Sequence, residues 1–168
     1  MDPEIYKERI AALLSIIHSK KFIEEDNTPC QIEEGLYLGS VGAAENWFSL
    51  RKLNITHILT VANCFPPVHP DNFTYKVVSV ADRADVNISQ HFDECIAFID
   101  EAKSNGGAVL VHCFAGRSRS ATVVVAYLMS KTGMSLSQAM EHVRNRRPVV
   151  CPNYGFMQQL EAYEKTLR

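Results

Sequence analysis

The stretch VLVHCFAGRSRSATVVVAYLM, residues 109–129, limits most narrowly what this chain can fold into. It runs from an apolar strand pattern over residues 108–112, through a short loop of small and basic residues, into an apolar helix pattern over residues 118–131. In such a unit the N–H groups of the loop and the positive end of the helix converge on one point. The stretch therefore predicts an anion-binding site between a buried strand and a helix.

Strand patterns and helix patterns alternate along the remainder of the chain. Further strands are predicted around the Glu-Gly turn at residues 34–35 and over 56–63 and 75–81. Further helices are predicted over 4–25, 43–53, 87–106, 135–147 and 153–167. The fold class that follows is α/β, with a central, mostly parallel twisted sheet flanked by helices.

The length of 168 residues fits one folded domain. Asn, Pro and Gly break the helical pattern between residues 25 and 40, so we place the start of the domain near residue 29. The chain then divides into an N-terminal basic amphipathic helix with its linker, residues 1–28, and a catalytic domain over residues 29–168.

Charge and cysteine usage exclude several classes of partner. A formal net charge of −2 gives no overall attraction to nucleic acid or to membranes, and the apolar runs fall short of the about 20 residues that span a bilayer. The five cysteines have no close pairs and no secretory signal before them, which indicates a reducing cytoplasm or nucleus. The histidines lack metal-ligand spacing. We expect no metal and no cofactor.

The loop after the strand carries residues suited to phosphate chemistry. Cys113 lies where N–H donors and the helix dipole favour thiolate over thiol, so it can act as a nucleophile. Gly116 lets the backbone curl closely around an anion. Arg119 supplies a planar fork that can hold two phosphate oxygens while the phosphoryl group is transferred.

The spacing His-Cys-x-x-Gly-x-x-Arg-Ser at residues 112–120 resembles the signature of the cysteine-dependent protein tyrosine phosphatases, and its AGxSRS variety is similar to the dual-specificity branch. AYLM at 126–129 and RPVVCPNYGFMQQL at 147–160 are similar to that branch as well. The resemblance covers roughly residues 29–168 and implies a protein tyrosine phosphatase-like fold.

The resemblance also implies a role for each matching residue. Cys113 would attack phosphorus and form a phosphocysteine, and Ser120 would donate a hydrogen bond that helps the thiolate leave. His112 would orient the loop without transferring protons, and Asn153 would brace it from the following segment. The residues that the resemblance places around the phosphate are His112, Phe114, Ala115, Gly116, Arg117, Ser118, Arg119 and Asn153.

A proton donor is also needed, because an alkoxide from phosphoserine or phosphothreonine is a poor leaving group. Asp82 lies just past a predicted strand and matches the general-acid aspartate of the family. Asp85 in the same loop is the alternative.

Taken one at a time, these residues also have ordinary structural interpretations. A lone Cys is usually a small buried hydrophobe, and Asn153 could simply cap the last helix.

Three further features leave alternatives open. The helix over residues 5–23 has apolar spacings and flanking Lys and Arg residues that calmodulin accepts, or else it packs on the domain or on a second copy as a homodimer. Arg117 could favour a second phosphate nearby or could be a solvated surface residue. Cys64 could form a regulatory disulfide with Cys113 or remain inert.

The function implied is a phosphatase that acts on phosphotyrosine and on phosphoserine or phosphothreonine, with MAP kinases as the suggested substrates. The alternative is the same mechanism on a non-protein phosphomonoester such as a phosphoinositide, although the loop lacks the paired lysines typical of those enzymes. Two further alternatives are less favoured. Family members that bind phosphate without turnover have lost the nucleophile, whereas Cys113 is present here. Sulfur-transfer domains have a similar loop but would not need Asp82.

Overall fold

The structure, a computed structural model, describes residues 2–168 and contains a five-stranded sheet in the order β1-β2-β5-β3-β4. The strands are β1 (Cys30–Glu33), β2 (Leu36–Gly39), β3 (Ile55–Val61), β4 (Thr74–Val78) and β5 (Ala108–His112). β1 and β2 are antiparallel around the predicted turn, and every other neighbouring pair in the sheet is parallel. The predicted α/β class with a mostly parallel sheet is confirmed.

Helices cover both faces of this sheet. They are α1 (Pro3–Glu25), α2 (Val41–Glu45), α3 (Trp47–Lys52), α4 (Phe92–Ser104), α5 (Arg119–Thr132), α6 (Leu136–Arg146) and α7 (Tyr154–Thr166). Ser135 forms a capping box with Gln138 at the start of α6, and Asn153 caps α7 by accepting a hydrogen bond from Phe156 N.

The single helix predicted over residues 43–53 is wrong, because the chain forms α2 and α3 there with a break at Asn46. The backbone N–H of Asn46 closes the last turn of α2 by donating to Ala43 O. Its side-chain oxygen accepts from Ser49 N and so begins α3. A short polar side chain that bonds the backbone locally competes with a continuous helix, and here it divides one apolar segment into two helices.

Alternate residues of the central strands point to opposite faces and build two cores. In β5, Val109 and Val111 pack in the larger core with α4, α5, α6 and α7, whereas Leu110 packs in the smaller core with α2 and α3. This alternation follows the two-residue period of a strand. Because both faces are buried, β5 can be apolar throughout, as its sequence is.

The N-terminal helix α1 is confirmed, but it is only weakly amphipathic and none of its residues is buried. Ile10, Leu13 and Ile17 are each at least 40% exposed, so this apolar face does not pack on the domain of the same chain. The C-terminal part of α1 approaches the domain, and there Phe22 and Ile23 are half-buried. Among residues 2–168, no helix is long and apolar enough to cross a membrane.

The carboxyl ends of the parallel strands meet at one edge of the sheet. At that edge His112 of β5 lies in register with Gly39 of β2 on one side and Thr60 of β3 on the other. Ligands of open α/β sheets bind outside this edge. The loop that follows β5 therefore leaves the sheet at the position where a site is expected.

Candidate active site

The loop between β5 and α5, residues 113–118, is called the anion loop below, and its carbonyl groups all point outward. Each carbonyl from Cys113 to Ser118 accepts a hydrogen bond from a group outside the loop. In the order of the carbonyls, the donors are His112 Nδ1, Val41 N, Arg147 Nη2, Arg147 Nε, Cys151 N and Thr122 N. With the carbonyl oxygens held outside, the N–H groups are turned toward the interior of the loop.

Those N–H groups remain available to a ligand. No hydrogen bond from the amides of residues 114–118 to another group occurs within residues 2–168. Successive free amides that curl around one point, ahead of the N-terminus of α5, form a concave site for an anion. The backbone arrangement that the predicted anion site requires is thus present.

Gly116 is required at its position for two reasons. Its φ of 62° lies in the left-handed region, which side chains other than glycine rarely adopt. A Cβ atom there would also come within 2.5 Å of the Gly39 carbonyl group and 2.8 Å of Arg147 Nη2. The loop can therefore close only with glycine at this residue, as the sequence predicts.

Cys113 lies at the base of the anion loop and is 2% exposed. Its Sγ atom is 3.0 Å from Oγ of Ser120, which belongs to the first turn of α5. A hydroxyl at this distance can donate a hydrogen bond to a sulfur anion and stabilise it. The two residues predicted to act together are thus in direct contact.

His112 is buried behind the loop and is neutral at physiological pH. Burial lowers its pKa from the ordinary 6.5 to about 4; the hydrogen bond to the Cys113 carbonyl opposes this shift, and the positive charge of Arg119 adds to it. Nε2 of His112 lies 2.8 Å from Thr60 Oγ1. A ring that donates from Nδ1 to Cys113 O and accepts at Nε2 satisfies both contacts. This position suits the predicted orienting role.

The two arginines of the loop differ in their surroundings. Arg119 is half-buried, and its Nη1 donates to Val80 O at 3.1 Å, which places the guanidinium between the anion loop and the segment after β4. Arg117 is exposed, and its side chain forms no hydrogen bond or ion pair within residues 2–168. The geometry therefore ties Arg119 to the site and leaves both interpretations of Arg117 open.

Asp82 lies on the segment between β4 and α4, residues 79–88, which is called the acid loop below. Its Oδ1 accepts from Ser118 Oγ at 2.7 Å and from Asn153 Nδ2 at 2.9 Å. Asn153 N in turn donates to Ser118 Oγ at 3.0 Å. Oδ2 forms no hydrogen bond within residues 2–168, so it is available to carry a proton. The structure thus brings Asp82, Ser118 and Asn153 together at the anion loop.

Asp85 is placed differently. Its carboxylate pairs with Arg83 at 2.7 Å, and both side chains are about two-thirds exposed. This pair lies within the acid loop and makes no hydrogen bond to the anion loop in the described residues. Of the two predicted candidates for the general acid, the geometry favours Asp82.

The acid loop is held in place by α7, a feature that pattern analysis did not identify. Gln159 donates from Nε2 to Val86 O at 2.8 Å and accepts from Ser89 N at 3.0 Å. Gly155 packs so closely on the acid loop that a Cβ atom there would collide with Ala84 O. The segment NYGFMQQL therefore positions the acid loop in addition to capping its own helix.

Arg147 is the second functional feature that pattern analysis missed. Its guanidinium is buried and bonds the carbonyls of Ala115 and Gly116. The sequence does show that Arg147 lies just past the end of a helix and directly before a proline. Its spacing in the sequence could not, however, reveal that it bonds the carbonyls of the anion loop.

Cys64 is exposed rather than buried, and it lies on a segment that approaches the anion loop. The ring of the next residue, Phe65, stacks on Phe114 with ring centroids 5.9 Å apart. Both Cys64 and Cys113 are free thiols, so a disulfide between them stays a prediction. Within residues 2–168, no cluster of three His, Cys, Asp or Glu side chains could hold a metal ion.

The comparisons with known proteins agree with this geometry. Residues 36–166 match the family model for the dual specificity phosphatase catalytic domain. The chain is 55% identical to dual specificity protein phosphatase 1 of Arabidopsis thaliana over 165 residues, which are 98% of this chain and 83% of that protein. It is 42% identical to MAP kinase phosphatase with leucine-rich repeats protein 2 of Dictyostelium discoideum, over 90% of this chain and 22% of that protein.

Solved structures show the same likeness. The crystal structure of human DUSP28 superposes with a TM-score of 0.80 and 35% identity, covering 83% of this chain and 94% of that one. The matched region contains the anion loop and the acid loop. This chain therefore belongs to the dual specificity phosphatase family and is a dual specificity protein phosphatase.

Proposed function

We propose that the enzyme acts through a phosphocysteine intermediate formed on Cys113. The thiolate of Cys113 attacks phosphorus in line with the ester oxygen, and the S–P bond forms as the P–O bond to the substrate breaks. The leaving oxygen takes a proton from Asp82 Oδ2. The amides of the anion loop and the Arg119 fork bind the equatorial oxygens, where negative charge is held during transfer.

The second step returns the enzyme to its starting state. Water attacks phosphorus, Asp82 accepts the proton that the water loses, and the P–S bond breaks to release inorganic phosphate and the thiolate. Ser120 stabilises that thiolate from 3.0 Å. The observation that supports the proposal most strongly is the outward bonding of every anion-loop carbonyl, because it turns the N–H groups of residues 114–118 toward the interior of the loop that begins at Cys113.

We further propose that the substrates are phosphoproteins carrying phosphotyrosine and phosphothreonine or phosphoserine, and that MAP kinases are among them. Support for the kinase comes from the name of the Dictyostelium relative. Support for the dual specificity comes from the match of residues 36–166 to the dual specificity phosphatase catalytic domain and from the name of the Arabidopsis relative.

Release of phosphate from each site of a doubly phosphorylated MAP kinase activation-loop peptide tests this proposal. We expect both phosphates to be released, and singly phosphorylated versions of the peptide serve as controls. Faster turnover of a soluble phosphoinositide headgroup than of either peptide site would favour the non-protein alternative instead. Release from only one residue type would contradict dual specificity on this substrate.

We also propose that the exposed apolar face of α1 binds calmodulin. In the full chain, Leu13→Glu and Ile17→Glu should weaken calcium-dependent binding by about tenfold or more, since each buries a charge in an apolar groove. Phe48→Glu on α3 is the matched control, because Phe48 is 73% exposed on another helix. Unchanged binding, or substitutions that only dissociate a homodimer of this chain, would contradict the proposal.

A further inference from the structure

Arg147 is a buried cation that holds the back of the anion loop. The residue is 5% exposed, and its Nε and Nη2 donate to Gly116 O at 2.8 Å and to Ala115 O at 3.0 Å. One guanidinium fork therefore satisfies two consecutive carbonyls. No other protein group bonds these two oxygens within residues 2–168.

These two carbonyls decide whether the loop can bind an anion. A peptide unit that loses its outer partner can rotate, and its oxygen would then replace an N–H group inside the loop and repel phosphate. Gly116, with its permissive backbone, adjoins this peptide and lowers the barrier to such a rotation. A fixed fork on both oxygens keeps the amides of the site facing inward.

The charge of Arg147 is balanced by Asp26, which lies outside the region that matches the family model. Asp26 directly follows α1, and its carboxylate accepts from Arg147 Nη2 at 2.7 Å and from Nη1 at 3.2 Å. Burial lowers the pKa of Arg147, but the bonds and charges of Asp26 and Cys30 outweigh this effect and raise it. The guanidinium thus stays charged while buried.

The position of Asp26 is itself fixed by the domain. Ser40 Oγ donates to Asp26 O at 2.6 Å, and a Cβ atom on Gly42 would come within 2.5 Å of the same carbonyl. One turn earlier, the ring of Phe22 stacks on Phe114 of the anion loop with centroids 5.5 Å apart. The end of α1 therefore contacts the anion loop directly through the Phe22 ring, and it contacts Arg147, which holds the loop, through an ion pair.

We propose that Asp26 and Arg147 are positioning residues for phosphate binding, so that the end of the N-terminal helix sets the shape of the anion loop. The proposal rests on the anion loop being the phosphate site of the proposed mechanism. It goes beyond that mechanism by making catalysis depend on a segment that precedes the matched catalytic domain. A partner that moved α1 would then act directly on the site.

Kinetics of full-chain variants test the proposal. Asp26→Asn keeps the shape of the side chain and removes its charge, and Arg147→Lys keeps the charge and removes the fork. We expect each to lower kcat/KM for p-nitrophenyl phosphate by about tenfold or more, chiefly through a higher KM, and to weaken inhibition by inorganic phosphate by a similar factor. Asp26→Glu restores a carboxylate and should recover most of the loss.

The control variants, Glu25→Gln and Arg146→Lys, change exposed residues next to the pair. Both should match the unmodified enzyme in kcat/KM and in inhibition by inorganic phosphate. Wild-type phosphate inhibition in Asp26→Asn would overturn the proposal, as would an activity loss that only follows the folded fraction measured by circular dichroism. If Arg147→Lys does not fold, the isosteric change Asp26→Asn at the half-buried partner decides alone. Failure of the phosphocysteine mechanism is distinct, since it would appear in the unmodified enzyme.

Discussion

Changing Cys113 to Ser is expected to reduce turnover of phosphotyrosine peptides by at least about a thousandfold, the scale seen when a nucleophile is removed from a covalent enzyme. A serine hydroxyl is far less acidic than a thiol, so it offers no anion to attack phosphorus at neutral pH. Serine is also slightly smaller than cysteine and fits the buried position. The N–H groups of the anion loop should therefore still bind the phosphate.

Steady-state release of phosphate and calorimetric binding of the same peptide check both parts of this expectation. Cys151→Ser is the matched control, because the Cys151 thiol is exposed and the hydrogen bond of this residue to the anion loop comes from its backbone N–H, which donates to Arg117 O at 2.8 Å. We expect Cys151→Ser to retain full turnover. Turnover retained by Cys113→Ser would exclude covalent catalysis by this residue.

Changing Asp82 to Asn is expected to lower kcat for phosphothreonine peptides by about a hundredfold or more, the usual contribution of a positioned general acid. The amide oxygen of Asn can accept the same bonds from Ser118 and Asn153 that Asp82 Oδ1 accepts now. The acid loop should thus keep its position. What the variant loses is the proton that Oδ2 would deliver to the leaving oxygen.

The size of this loss should depend on the leaving group. It should be largest for the alkoxide of phosphothreonine, smaller for the phenolate of phosphotyrosine, and smallest for p-nitrophenolate, which leaves without help. Asp85→Asn serves as the control, since Asp85 pairs with Arg83 in solvent, and it should match the unmodified enzyme. A larger loss in Asp85→Asn than in Asp82→Asn would reassign the general acid.

Sequence patterns were sufficient for the parts of this site that are local in the chain. One loop and the first turn of a helix contain Cys113, Gly116, Arg119 and Ser120. The spacing of these residues in the sequence is therefore enough to predict how they are arranged. Asp82 was assigned from its match to the general-acid aspartate of the family, and its position just past a strand is consistent with this because strands of a parallel sheet end at a common edge. The structure supports the preference for Asp82 over Asp85, since within the described residues Asp82 bonds the anion loop and Asp85 does not.

Residues that act across the fold could not be predicted. Arg147 and Asp26 are 121 residues apart, and neither has a local pattern that names its partner. The break at Asn46 was missed for a different reason: helix periodicity continues through the residue, and a side-chain bond to the backbone decides against it. Likewise, apolar spacing predicted the extent of α1 but not that its apolar face would remain in solvent.

The covalent state of Cys113 during turnover tests the central claim most directly. Ser120→Ala should slow departure of the thiolate, so phosphoenzyme should accumulate with p-nitrophenyl phosphate and be trapped by rapid acid quenching. Mass spectrometry of the peptide that contains Cys113 is then expected to show one phosphate on that sulfur, formed at a rate that accounts for turnover. Continued turnover with no phosphate on Cys113, or with phosphate on another residue, would contradict the account.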